Sequence, residues 1–330
     1  MTNSTTPSRR SLVWALRIVA LLIVAWFVSG SVRSAFDKLS AHDWHVQPTW
    51  LIFSGVIYVL ALAPMGWFWQ RTLAALGCPT PLPNAMRAYF LGHIGKYVPG
   101  KAMSVILRVA AVRKWVPSMR IALVSTLIET LTMMAAGALA AALIAALLLH
   151  LDYYIWLAAF GMAAVSVAPT LPPVAKLLAR LGLNRNLRND EAGGAADATT
   201  LPVADVEANL RGLSYGLLTK GWLAAAICWV LQGVSLWATL RAIGVEDASL
   251  IHDLPRLIAA VSFSVVAGFL SQLPAGIVVR DGLLFELLKP IAGDANALVA
   301  AVLVRLVWLV SEVIVCVILY VGAGARSKDA

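Results

Sequence analysis

Charge is what this sequence has least of. Only 13% of its 330 residues are Asp, Glu, Lys or Arg, against 60% hydrophobic residues and a mean hydropathy of +0.82. A water-soluble globule of this length needs more charge on its surface, so soluble enzyme and binding-module classes are excluded and a polytopic membrane protein remains. Cysteine is scarce as well. Cys78, Cys228 and Cys316 lie far apart in apolar or cytoplasmic contexts, which gives neither a disulfide framework nor a metal-ligand spacing and leaves packing as their role. The five histidines are scattered with no partner at ligand spacing; His93 reads as a polar helix residue rather than a ligand. Acidic residues are missing altogether from residues 71–120, which hold Arg71, Arg87, Lys96, Lys101, Arg108, Arg113, Lys114 and Arg120. The net charge of +9 therefore records topology, because cytoplasmic loops collect Lys and Arg, and nucleic acid is not implied. For Arg71, Lys114 and Arg120 that topological role is sufficient.

What is present is a series of apolar runs. Residues 12–31, 50–70, 121–149, 153–174, 217–240 and 297–321 are each long enough, at ~20 residues, to cross a bilayer. No small-residue cleavage site follows the first, so it reads as a span and not a removed signal. Pro64 is expected to kink the second span against its neighbours. Residues 32–48, with Trp44 and the nearby Trp50, suit an outer interface. The region 176–216 is a basic, Asn- and Gly-containing cytoplasmic linker, in which Val203, Val206, Leu210 and Leu213 recur at the spacing of a surface amphipathic helix. Glu246, Asp247 and Asp253 are expected in an outer loop.

Two apolar stretches are broken. Residues 85–98 and 102–112 are each too short to cross and are separated by Pro99 and Gly100. Residues 257–273 are interrupted by Pro-Ala-Gly at 274–276 and followed by the short segment 277–288. Freed backbone groups are tolerated at membrane depth only where protein or a water-filled cavity covers them, so each break marks a site. Pro99 stands 30 residues before Glu129 and Pro274 stands 31 before Arg305, which argues for a duplication. The expected fold is an all-α polytopic membrane protein forming a single integral membrane domain over 1–330. It has six transmembrane helices plus two re-entrant broken-helix hairpins in an inverted repeat, 50–149 and 217–321, with both termini cytoplasmic. Only seven of the 26 Lys and Arg then fall outside cytoplasmic regions and span ends. Broken helices of two inverted repeats meeting near the midplane are a transporter architecture.

The chemistry of the breaks points to an anion. Pro99 fits the first turn of a helix, Gly100 allows close approach to the backbone, and the free N–H groups beyond them face the cavity. Lys96, Tyr97 and Lys101 add charge and a hydroxyl, and Arg280 and Arg305 add planar donors from the other repeat. Glu129, Asp281 and Glu312 balance these cations, bind a cationic headgroup or carry a proton. Intramembrane charges are costly and therefore read as functional; the structural alternative is an internal ion pair, for which Arg305 and Glu312, seven apart on one helix face, are the candidates. Lys96 and Lys101 could instead snorkel to the interface. The run GKYVPGK at 95–101 approaches a phosphate-binding loop, but Ala102 replaces the required Ser or Thr and no strand precedes it, which excludes a nucleotide.

GKYVPGK at 95–101, Arg108, Ser125 with Glu129, LPAGIVVRD at 273–281 and the helix bearing Arg305 resemble the lysylphosphatidylglycerol synthase transmembrane, or flippase-like, family. Asp281 stands where that family more often has Glu. The resemblance spans nearly the whole chain and fits a stand-alone membrane domain without the aminoacyl-transfer domain. It implies a bacterial inner-membrane translocator of a lipid whose headgroup is phosphate-containing or aminoacylated, with no cofactor and no metal. The substrate-binding set is then Lys96, Tyr97, Pro99, Gly100, Lys101, Arg108, Glu129, Arg280, Asp281, Arg305 and Glu312. Two alternatives stand beside it. One is a membrane-embedded lipid-modifying enzyme using Glu129 or Asp281 as base; the other is a non-transporting accessory protein of a lipid or hopanoid pathway, holding lipid-synthesis enzymes through its basic loop.

Overall fold

The computed structural model describes residues 46–97, 102–116, 119–148, 161, 213–271 and 279–326. Among these residues it is all helical, with seven helices: α1 (Pro48–Ala75), α2 (Leu82–Gly95), α3 (Ala102–Val112), α4 (Met119–Leu148), α5 (Tyr215–Ala242), α6 (Leu250–Leu270) and α7 (Val279–Arg326). Five of them, α1, α4, α5, α6 and α7, are long and apolar enough to cross a membrane. The spans expected at 12–31 and 153–174, and nearly all of the linker at 176–216, lie outside the described residues. So do Pro99, Gly100, Lys101 and the Pro-Ala-Gly break at 274–276.

The long helices carry lipid on one side and protein on the other. On α1, Ile52, Val56 and Leu60 recur every fourth residue and are exposed, whereas Ser54, Tyr58, Leu62 and Met65 are buried. A soluble protein would hide that outer row; in a bilayer it is the solvated face. The helices pack through small residues, since in lipid the attraction comes from close backbone contact and buried hydrogen bonds. α1 and α5 run antiparallel along their length. Gln47 N–H donates to the Ala242 carbonyl at 2.8 Å, and the Ser54 and Ser235 hydroxyls donate to each other's carbonyls at 2.8 and 3.0 Å. Gly221 lies against the Phe68 ring at the far end. Gly137 of α4 lies under the Trp229 indole of α5, whose N–H donates to the Met133 carbonyl at 3.0 Å.

The first broken stretch is a tight hairpin. α2 and α3 lie side by side, with the Ser104 hydroxyl donating to the Gly92 carbonyl at 2.6 Å. A Cβ on Gly95 would stand 2.7 Å from Ser104 Cα, so the two backbones touch only because position 95 is glycine. At 14 and 11 residues the arms are shorter than a span, as the sequence implies.

The second broken stretch differs from expectation. α6 begins at Leu250, not 257, and is 21 residues long. Ser249 caps it: its hydroxyl accepts from His252 N–H while its own N–H donates to the Asp253 carboxylate at 2.9 Å. Asp253 therefore belongs to the first turn of a helix and not to a loop. Pro255 is the sixth residue of α6, and its missing N–H removes the hydrogen bond that the Ile251 carbonyl would otherwise accept. Beyond the break, the described part of the segment expected at 277–288 and the span expected at 297–321 are joined as α7, 48 residues interrupted at Gly293, whose φ of 76° is open to glycine and strained for other residues.

Candidate functional site

The helix ends on either side of both breaks meet at one cavity of about 440 Å³. The C-terminal end of α2 supplies His93, Lys96 and the adjoining Tyr97, and the start of α3 supplies Ser104 and Arg108. From the other side come Gly268 and Phe269 at the end of α6 and Arg280 at the start of α7. Tyr58 of α1, Glu129 and Thr130 of α4, Gln232 of α5 and Trp308 of α7 close the walls.

Glu129 sits mid-helix on α4 and is 1% exposed. Arg108 reaches it with Nη1 at 2.5 Å from Oε2, and the Tyr89 and Thr130 hydroxyls donate to its two oxygens at 3.1 and 3.3 Å. The guanidinium lies over the Tyr89 ring, 4.3 Å from its centroid, and 5.5 Å from that of Trp69. The Trp69 N–H in turn donates to the Ser125 hydroxyl at 3.1 Å. Gly92 makes the passage for the arginine, since a side chain there would collide with Arg108.

Glu312 of α7 is fully buried and anchors a second group. Lys96 Nζ lies 2.5 Å from Oε1, the Tyr58 hydroxyl donates to the same oxygen, and His93 Nδ1 is 3.7 Å away. Tyr58 stacks on Trp308 at 4.4 Å and 6°. Lys96 is the capping residue at the end of α2, where the negative end of the helix dipole favours a cation. A third pair joins Arg305 to Asp281, whose carboxylate in the first turn of α7 suits the positive end of that helix.

Most of the residues expected from sequence thus meet in one place. Lys96, Tyr97, Arg108, Glu129 and Arg280 line the cavity. Glu312 reaches it through Lys96 and Tyr58, while Asp281 and Arg305 form a pair behind Arg280. Pro99, Gly100 and Lys101 are outside the described residues. One expectation is corrected: Arg305 and Glu312 do not pair. Seven residues along a helix is about 10.5 Å of rise, too far for contact, and each turns to a different hairpin. His93, expected to be an ordinary polar residue, lines the cavity beside Glu312. Tyr58, Gln232 and Trp308 were not expected at all. The one available signal was a polar pair, Ser54 and Tyr58, four apart on the buried side of an apolar helix. Among the described residues, no three His, Cys, Asp or Glu side chains converge as a metal site.

Apolar spans with exposed outer faces, surrounding a buried network of ion pairs at a cavity between interrupted helices, define a multi-pass α-helical membrane protein with an internal polar site. The chain matches the family model of the lysylphosphatidylglycerol synthase TM region over residues 12–316 and belongs to that family, which ties it to the handling of membrane lipid. No curated protein matches the chain.

Proposed function

We infer that the protein is a lipid translocator of the bacterial inner membrane, passing the headgroup of a phosphate-containing or aminoacylated lipid through the central cavity while the acyl chains stay in the bilayer. The observation that carries this reading is the convergence of both interrupted hairpins on one charged cavity. The packing supports an inverted repeat: α1 and α5, the first helices of the two halves, are antiparallel. α4 of the first half packs on α5 and α6 of the second, and α7 of the second half packs on α1 and α2 of the first. Exchanging the halves reproduces the pattern. Two halves related in this way around a central site can rock against each other and open it to alternate sides. With arms of 14 and 11 residues, the α2–α3 hairpin is re-entrant. The basic stretch 71–120 faces the cytoplasm, as do both termini.

The enzymatic alternative needs a free base. Glu129 and Asp281 are both held by arginines, which favours a binding network over proton abstraction. The test is reconstitution in liposomes with fluorescent phosphatidylglycerol, a cationic aminoacyl derivative and a polyprenyl phosphate, each with and without a proton gradient. Translocation of at least one lipid above protein-free liposomes, lost in Glu312→Gln, is the expected result. If a folded protein moves none of them, the enzyme or accessory reading takes over.

A further inference from the structure

The ion pairs around the cavity leave one cation over. Among the described residues this network holds four cations and three carboxylates. Lys96 pairs with Glu312, Arg108 with Glu129 and Arg305 with Asp281. Among the described residues, Arg280 has no carboxylate within ion-pair distance, and its buried Nε has no hydrogen-bond partner. It is held rather than loose: its guanidinium lies 4.9 Å over the Trp308 indole, itself stacked on Tyr58. Both ring nitrogens of His93, which lines the same cavity from the α2 side, are buried without a hydrogen-bond partner. An uncompensated cation in a low-dielectric site is costly unless an anion completes it.

We propose that Arg280 and His93 form the seat of a single phosphodiester monoanion, so that the cavity selects a singly negative headgroup over a cationic aminoacylated one. This rests on the translocator reading for its site but concerns which lipid enters. A guanidinium offers a planar fork matched to two phosphate oxygens, and the aromatic stack holds that fork in place before the ligand arrives. The neutral imidazole supplies one further N–H donor. One positive charge in excess balances one negative charge. A lysyl group brings ammonium groups, and the carboxylates that would receive them already carry a lysine or an arginine. Placing such a headgroup here means breaking a buried pair or leaving a cation unpaired, both expensive.

The experiment is calorimetric binding to the full-length chain in detergent, using short-chain phosphatidylglycerol, its lysylated derivative and inorganic phosphate. Phosphatidylglycerol is expected to bind at least about tenfold more tightly than the lysylated lipid, and Arg280→Ala to weaken it at least about tenfold. Arg280→Lys, which keeps the charge but loses the fork, falls between them. Because Arg280→Ala removes an unpaired cation, its unfolding temperature should equal or exceed that of the unmutated protein, whereas a structural arginine would lose stability on truncation. Inorganic phosphate that displaces the lipid assigns the site to the oxyanion alone, and lipid binding that phosphate does not disturb assigns it to the headgroup; both uphold the phosphodiester seat. Equal or tighter binding of the lysylated lipid overturns it, as does unchanged affinity or a clear loss of stability in Arg280→Ala. Binding of this pattern in a protein that moves no lipid removes the translocator reading alone. Transport that prefers the lysylated lipid removes this inference alone.

Discussion

Glu129 and Glu312 are both buried carboxylates on long membrane helices, each facing a cation from the first hairpin, yet their surroundings differ. Glu129 lines the cavity but is sealed by its partners: its arginine is 5% exposed, covered by Tyr89 and Trp69, and its oxygens take donors from three side chains. Glu312 is open. Its lysine is 30% exposed, and one of its own oxygens, Oε2, has no hydrogen-bond partner. Arginine makes a rigid pair held by a planar group, whereas lysine is a single point charge on a flexible stem that can turn toward a ligand. The comparison assigns the first pair to holding α3 and α4 together and the second to meeting the cargo.

Four variants would break or sharpen that contrast. Arg108→Ala should have the largest effect, a loss of about 3–5 kcal/mol seen as a lowered thermal unfolding temperature in detergent, because it leaves Glu129 charged, buried and unpaired. If this variant is as stable as the unmutated protein, the pair is not sealed. Gly95→Ala comes next, at about 1–3 kcal/mol by the same readout, because its methyl meets the Ser104 backbone, which has no flexible end to yield, and pushes α2 away from α3. Lys96→Ala should cost only about 1–2 kcal/mol, since Glu312 keeps Tyr58 as donor and gains water from the cavity. It should nevertheless abolish lipid translocation in liposomes. A large loss of stability in Lys96→Ala would make the two clusters equivalent. Tyr58→Phe should be mildest, about 1 kcal/mol, because it removes one donor to Glu312 and keeps the stack on Trp308. A steeper loss would mean that the hydroxyl, and not the lysine, holds that carboxylate.

Much of the fold was legible because lipid imposes simple rules. Apolar runs of span length became α1, α4 and α5 within a few residues at each end, and the short arms on either side of the Pro-Gly break became α2 and α3. The start of α6 was not legible, because its first turns carry Asp253, Pro255 and Arg256 and so look like loop; the Ser249 cap was the missed sign. At the site, cost was the guide: carboxylates and arginines at membrane depth are rare, so Glu129, Arg280, Asp281, Arg305 and Glu312 announced themselves. Their pairing was hidden, since helical spacing tells which residues share a face and says nothing of which neighbouring helix each will meet. Tyr58 and Trp308 carry no such cost in an apolar helix, and packing alone reveals their part.

The central claim is that the headgroup passes through the cavity between the hairpins. Val265 of α6 lines that cavity and belongs to none of its ion pairs, so Val265→Trp fills the space and leaves the charges intact. The most direct measurement is fluorescent phosphatidylglycerol translocation in liposomes carrying either the unmutated chain or this variant, matched for protein content and unfolding temperature. Loss of translocation in Val265→Trp is the predicted result. Equal rates from the two proteins would show that lipid does not travel through the cavity.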